Sequence, residues 1–391
     1  MKGLAGSFGG MALYFAAEYL ATSVYHSGVA LFYRAKGFSL TQISLLMGAV
    51  PLVGAVAHPL WGMLGDRCAR KNTVHRILLL GATIALACYA LPRTAGGMLP
   101  VVCAYACFGA AITPMSETIA LEGLTRLGKG FGPLRLWGTL AFGAGAWASG
   151  AALGGRAAWF AYLAAGLTGM AAVVSLALPQ VPGHQHGGER VGWRPLLRDK
   201  RLRWLLALAA ALQCSQGMYF TFYPSLFTDV WGGSTALYGL SMLLSTLSEV
   251  PFLFCADRLF QRLGAGRLLV LAGCAMTLHW LLVALAPGLG LLFATQALGG
   301  GGLIVLGFTM TRHVQLAVPQ ELRASGQMLV ALVGFGVART LSGLAGRWLI
   351  SALGSPRAVF WAMAALAAGA VLLLGKKVWG SAPQGGAHAE K

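Results

Sequence analysis

The sequence predicts an all-α membrane protein, with twelve transmembrane helices in two pseudo-symmetric six-helix halves. Three observations predict it. Hydrophobic residues make up 57% of the 391 positions and charged residues only 10%. Long uncharged runs recur from end to end, each able to cross roughly 30 Å of hydrocarbon. Basic residues collect in alternate loops between those runs.

The spans are read in order as follows, with boundaries good to a few residues. The first, 8–33, carries Glu18 and His26 eight residues apart, roughly on one helix face. It is expected to be a retained helix, because no small-residue cleavage site follows it. Spans 41–64 and 75–92 flank a basic segment, GMLGDRCARK (62–71) leading to RILLLG (76–81). Span 98–125 holds Glu117 and Glu122 late in its course. Span 134–154 opens on Arg135 and is rich in glycine (Gly138, Gly143, Gly145, Gly150, Gly154), and 157–178 closes the first half. In the second half, 204–228 carries the aromatic run Tyr219, Phe220, Phe222 and Tyr223. Span 236–256 holds Glu249 before Pro251, and 268–286 and 289–311 are apolar. Span 325–349 holds Arg339 with Gly334, Gly336, Gly343 and Gly346, and 356–375 is the last. Glycine permits close approach of membrane helices, so the fifth and eleventh spans are expected to pack tightly against neighbours that slide.

The domain boundaries follow: residues 1–179 form the N-terminal six-helix half, 180–203 a linker, 204–379 the C-terminal half and 380–391 a short tail. The linker is dominated by Gly, Pro, His and Arg. Its His184 and His186 read as solvated linker rather than a metal site.

A formal charge of +18 raises the question of nucleic acid, and its distribution answers it. Arg67, Arg70, Lys71 and Arg76 share one loop, Arg126 and Lys129 another. Arg190, Arg194, Arg198, Lys200, Arg201 and Arg203 crowd the linker. Arg258, Arg262 and Arg267, then Arg323, then Lys376 and Lys377 continue the series. The alternate loops carry only Arg34, Lys36, Arg93, Arg156, Arg347 and Arg357. This is the positive-inside pattern, with both termini and the linker cytoplasmic, and basic loops beside anionic lipid need no nucleic-acid partner. Of seven cysteines, Cys103 and Cys107 share a helix face as small packing residues, and no spacing points to a metal or disulfide.

Ionisable groups inside the runs are costly in lipid, so they are the candidate site residues. Glu117 lies about ten residues from the cytoplasmic end of its helix, roughly 15 Å deep. Its protonation there depends on Arg135, a sensitivity that suits proton coupling; a structural ion pair is the alternative. Trp137 and Phe142 follow Arg135 and can stack on a ring. Glu249 reads as a proton carrier or substrate contact, or as a structural partner of Arg339. Arg339 must be paired or line water and can hold a carboxylate; Arg312 near a helix end can snorkel. His26 can sense pH near neutrality or serve as a hydrogen-bonded structural residue. His58 and His279 read as packing residues. Tyr219 and Tyr223 are pocket candidates.

The Asp66–Arg67 segment resembles the signature of the major facilitator superfamily, Gly-x-x-x-Asp-Arg-x-Gly-Arg-Lys/Arg. Gly62, Asp66, Arg67, Arg70 and Lys71 match, while Ala69 replaces the second glycine. The echo ADRLFQRLGAGRLLVLAG (256–273) repeats the Asp-Arg pair as Asp257 and Arg258, and Arg135 with Gly138 is echoed by Arg323 with Gly326. Asp66, Arg67 and Arg70, with Asp257 and Arg258, are expected to latch the cytoplasmic side. The segment Gly132, Arg135, Leu136, Trp137, Gly138 is similar to that of phenylpropionate-transporter-like proteins, within the lactose-permease and nucleoside-symporter branch. The likeness extends through LQCSQGMYFTFYPSLF (212–227) and SEVPFLFCADRLFQR (248–262).

The resemblance implies alternating access about a central site. It implies that Glu117 and Arg135 bind substrate and that Phe142 stacks on it. The permease's tenth-helix His–Glu proton pair has no counterpart; Arg312 and His313 lie nearby without matching. The expectation is a monomeric, multi-pass bacterial inner-membrane protein. It takes up a small organic solute with a proton as coupling ion and no other cofactor. An aromatic carboxylate is preferred, with sugar or nucleoside symport and drug or metabolite efflux as alternatives. A non-transporting sensor is disfavoured by the short tail after Lys377. Nucleotide-driven transport and enzymatic activity are disfavoured because no phosphate loop, metal site or nucleophile triad stands out.

Overall fold

The computed structural model describes residues 4–129, 131–152, 159–182, 196, 198–318, 326–327, 329–355 and 357–380. Arg156, His184, His186, Arg190, Arg194 and Arg323 lie outside the described residues, and so does the side chain of Asp66.

Polar residues at run ends start the helices. Ser7 caps α1 (Phe8–Ala35), its hydroxyl accepting from the Gly10 N–H at 3.1 Å. Ser39 and Gln42 form a reciprocal capping box on α2 (Leu40–Arg67), so a four-residue loop suffices to reverse the chain. Helix α3 covers Lys71–Cys88, and Thr94 caps α4 (Ala95–Gly109). The fourth predicted span is interrupted here: the chain breaks after Gly109 and resumes as α5 (Ile112–Leu127), which ends on Gly128 at φ +61°. Then come α6 (Phe131–Ala152) and α7 (Phe160–Val174).

Helix α8 runs Lys200–Asp229. The eighth predicted span is also broken, into α9 (Thr235–Leu247) and the start of α10 (Val250–Leu285). Helix α10 also takes in the predicted ninth span. The two are separated by Gly264, whose φ of +75° only glycine adopts readily and which kinks the chain between them. Helix α11 is Leu289–Ala317. The eleventh span opens as a π-helical stretch, Val330–Val337, and continues as α12 (Ala338–Leu353). Helix α13 is Ala358–Trp379. Among the described residues the structure is helical apart from one isolated bridge between Arg70 and Pro182. Among the described residues, seven helical stretches are long and apolar enough to cross a membrane by length and composition. Leu60, Phe254, Leu372 and Leu373 are exposed on these helices, an outer surface suited to lipid rather than water.

Contacts group the chain into two compact units. One comprises Met1–Gly187 with Thr221–Leu247, the other Gly188–Phe220 with Ser248–Lys391. In the first, α1 packs on α6 and α7, α3 on α4 and α7, and α6 on α9. The α6–α9 seam needs glycine on both sides. A side chain at Gly150 would strike the Thr235 carbonyl, and one at Gly239 would strike the Ala146 carbonyl. In the second unit α10 packs on α11 and α13.

A short strap crosses one end of the first unit. The Gly6 N–H donates to Ala177 O at 2.9 Å, and the Lys71 N–H to Val181 O at 3.0 Å. Asn72 Nδ2 donates to Pro179 O while its Oδ1 accepts from the Val181 N–H, both at 3.0 Å. Arg126 adds a bond to Gln180 O at 3.4 Å. Residues 177–182 thereby tie together the same-side ends of α1, α3 and α5.

Candidate functional site

Glu18 sits midway along α1 and is buried. A carboxylate in that position requires donors, and α5 supplies them. Thr113 Oγ1 donates to Glu18 Oε1 at 2.6 Å and Ser116 Oγ to Oε2 at 2.7 Å. The two hydroxyls are three residues apart, so they share a helix face. The break before Ile112 starts α5 just ahead of them. Glu18 borders a cavity of about 250 Å³ also lined by Thr22, Tyr25, His26, Tyr105 and Thr113. The expected common face of Glu18 and His26 is thus seen, although His26 itself is exposed.

One residue beyond Ser116, Glu117 meets Arg135 of α6, with Nη1 2.5 Å from Oε1. The Tyr19 hydroxyl lies 3.5 Å from the same oxygen, and the guanidinium carbon stands 4.6 Å from the centre of the Tyr19 ring. The pair is partly exposed, at 22% for Arg135 and 33% for Glu117, so a solute can reach it. Phe142 is half-buried, its ring centre 6.3 Å from that of His26. Trp137 does not join this group. Its side chain is 53% exposed. Glu122 is drawn off by Lys71 at 3.1 Å, which ties α5 to the signature segment.

In the second unit Arg339 follows directly on the π-helical stretch. Its Nε donates to Gln213 Oε1 at 3.1 Å, and its guanidinium carbon stands 5.1 Å from the Phe220 ring centre. Gln213, Gly217 and Phe220 lie on one face of α8, and Gly217 is what lets α12 come close at Arg339 and Ser342. Tyr219 donates to Gln296 at 3.2 Å and lies against His279 and Trp280. Tyr223 belongs to the first unit, where its hydroxyl meets Ser241 at 2.8 Å. Neither tyrosine lines the cavity beside Glu18. Glu249 is not inside a continuous helix. It stands at the break between α9 and α10 as the N-cap residue of α10, half-buried.

Among the loop residues, Arg67 closes α2 and Arg70 precedes α3, where its backbone forms the bridge to Pro182. Asp257 pairs with Arg312 Nε at 3.3 Å, so Arg312 is tied to α10 rather than only snorkelling; Arg258 next to it is exposed. An unanticipated pair joins Arg34, at the end of α1, to Asp229, at the end of α8, at 2.5 Å. Its partners are remote in the chain, at the ends of two helices, so neither charge pointed to the other.

The family described as MFS_1 like matches residues 13–362. A maltose permease of Geobacillus stearothermophilus is 28% identical over 312 residues, covering 79% of this chain and 78% of that protein. A probable 3-phenylpropionic acid transporter of Escherichia coli (strain K12) is 27% identical over 359 residues, covering 88% and 91%. The crystal structure of a mutant of the nucleoside transporter NupG superposes with a TM-score of 0.83 over 94% of this chain and 98% of that one. At 16% identity that likeness speaks to the fold.

Proposed function

The chain belongs to the MFS_1 like family of membrane transporters and is not an enzyme; on that premise we propose that it imports a small organic solute together with a proton. The carrying observation is the Glu117–Arg135 pair over Tyr19, partly open to solute, with Glu18 buried one helical turn away. A carboxylate whose partner can be drawn off by a bound solute changes its protonation during the cycle, which is what coupling requires. Twelve spans in two halves, working by alternating access, fit the fold likeness and the repeated Asp-Arg segments. The basic loops support a bacterial inner-membrane protein with cytoplasmic termini.

The preferred solute is an aromatic carboxylate. Arg339 beside Phe220 offers a guanidinium and a ring together, and the likeness to a probable 3-phenylpropionic acid transporter points the same way. Sugar is the second reading, favoured by the likeness to a maltose permease. Reconstituted vesicles with an acidic exterior test both. We expect accumulation of 3-phenylpropionate that a protonophore abolishes. Accumulation of maltose instead would overturn the solute assignment, and uptake indifferent to the pH gradient would overturn proton coupling.

A further inference from the structure

Several bases at helix ends are met by acids or carbonyls: Lys71 by Glu122, Arg312 by Asp257 and Arg126 by Gln180 O. One group in the second unit is met by indole rings instead. The Arg267 guanidinium carbon stands 5.7 Å from the Trp379 ring centre, and Lys377 Nζ stands 3.8 Å from that of Trp204. These contacts gather the start of α8, the stretch of α10 just past the Gly264 kink and the end of α13. The three helices are packed together further in, where Val371 of α13 and Leu212 of α8 both close on Gly273 of α10. Lys200, one turn before Trp204, and Lys376, beside Lys377, are exposed and bring the group to four cations. Among the described residues no acid pairs with any of the four, and the buried Arg267 Nε has no hydrogen-bond partner. Asp199, next to Lys200 in the chain, is turned to capping α8 and accepts from the Arg201 N–H at 2.8 Å.

A ring face attracts a cation without neutralising it, so the charge and the N–H donors stay available to an anion. Guanidinium and ammonium groups gathered in this way suit a phosphate. The surface next to them favours a phosphate that carries acyl chains. Leu372 and Leu373 stand one turn back from Lys376 and Lys377 on the same face of α13, and both are strongly exposed. Trp204 and Trp379 lie where that apolar face gives way to charge, the level at which tryptophan collects in membrane proteins. We propose that Lys200, Arg267, Lys376 and Lys377, with the two indoles, hold the headgroup of an anionic phospholipid of the cytoplasmic leaflet. The phosphodiester accepts from Arg267 and the α13 lysines, and the acyl chains run along Leu372 and Leu373. The lipid thereby joins the start of α8 to the end of α13. This site is independent of the solute and of proton coupling.

Native mass spectrometry of the purified full chain, titrated with phosphatidylglycerol and phosphatidylethanolamine of matched acyl chains, tests the site. Wild type should retain phosphatidylglycerol over phosphatidylethanolamine by roughly fivefold or more, the size expected for basic residues meeting anionic lipid. The double variant Lys376→Gln with Lys377→Gln should lose most of that preference. Both lysines are exposed at a helix end, so their replacement leaves the packed helices intact. Arg70→Gln with Arg126→Gln removes the same charge from exposed positions of the first unit and should keep the preference. Phosphatidylglycerol should also raise the melting temperature of wild type in neutral detergent, and inorganic phosphate should not. Equal loss in the two double variants would show diffuse attraction to the bilayer and overturn the site. So would the absence of any preference in wild type, or a rise in melting temperature with inorganic phosphate that matches the rise with lipid.

Discussion

Arg135 shows how much a single side chain is asked to do. It grips Glu117, lies on Tyr19 and sits near the start of α6. Its planar fork makes such a position intolerant even of lysine. We expect Arg135→Lys to weaken solute binding at least tenfold, about 1.4 kcal/mol at 25 °C, with the protein still folded; binding within twofold of wild type in a calorimetric titration would contradict that role. Arg34 and Asp229 make the opposite case. Both are nearly half exposed, and such pairs add only about 0–1 kcal/mol to stability. Their effect belongs in rates. Arg34→Asp should slow uptake without moving the melting temperature, and adding Asp229→Arg should restore it. A double reversal as slow as the single one would show that the pair does not matter to transport.

Helices and their seams are where the sequence could be read best and where it also failed. Hydropathy located the apolar runs because lipid demands an unbroken stretch of apolar side chains. It could not see the breaks at 110–111 and 248–249 or the π-helical stretch, because these change backbone hydrogen bonding without changing composition. Glu117, Arg135, Glu18 and His26 stood out as charges or a titratable ring in apolar surroundings. Thr113, Ser116 and Gln213 did not, since hydroxyls and amides are common in membrane helices and only their partners give them meaning. Two element-level predictions follow from seams the sequence only partly showed. Gly239→Val should overpack the α6–α9 contact and cost about 1–3 kcal/mol, read as a lower melting temperature in detergent. Asn72→Ala removes both bonds to the strap and leaves Pro179 O and Val181 N unmet, for a loss of about 1–3 kcal/mol. Unchanged melting in either variant would mean the seam carries no load.

For the whole molecule, the distribution of charge is the broadest claim. Reporter fusions near Arg190 and after Lys377 should both report cytoplasm. Either one found outside would refute the arrangement of spans inferred from the basic loops.

The first compact unit also has a history, because it is not contiguous in the chain. Thr221–Leu247 completes it, and Gly239 in that segment fills the seam left by Gly150. A ribosome has to make residues 188–247 before that seam can close. At about 5–20 residues per second the wait lasts roughly 3–12 s, during which α6 presents a glycine-lined face with nothing on it. A nascent chain halted at 187 should therefore be cleared quickly by membrane proteases, and one halted at 247 should persist. Equal lifetimes in a pulse-chase would mean that α6 finds another partner while it waits.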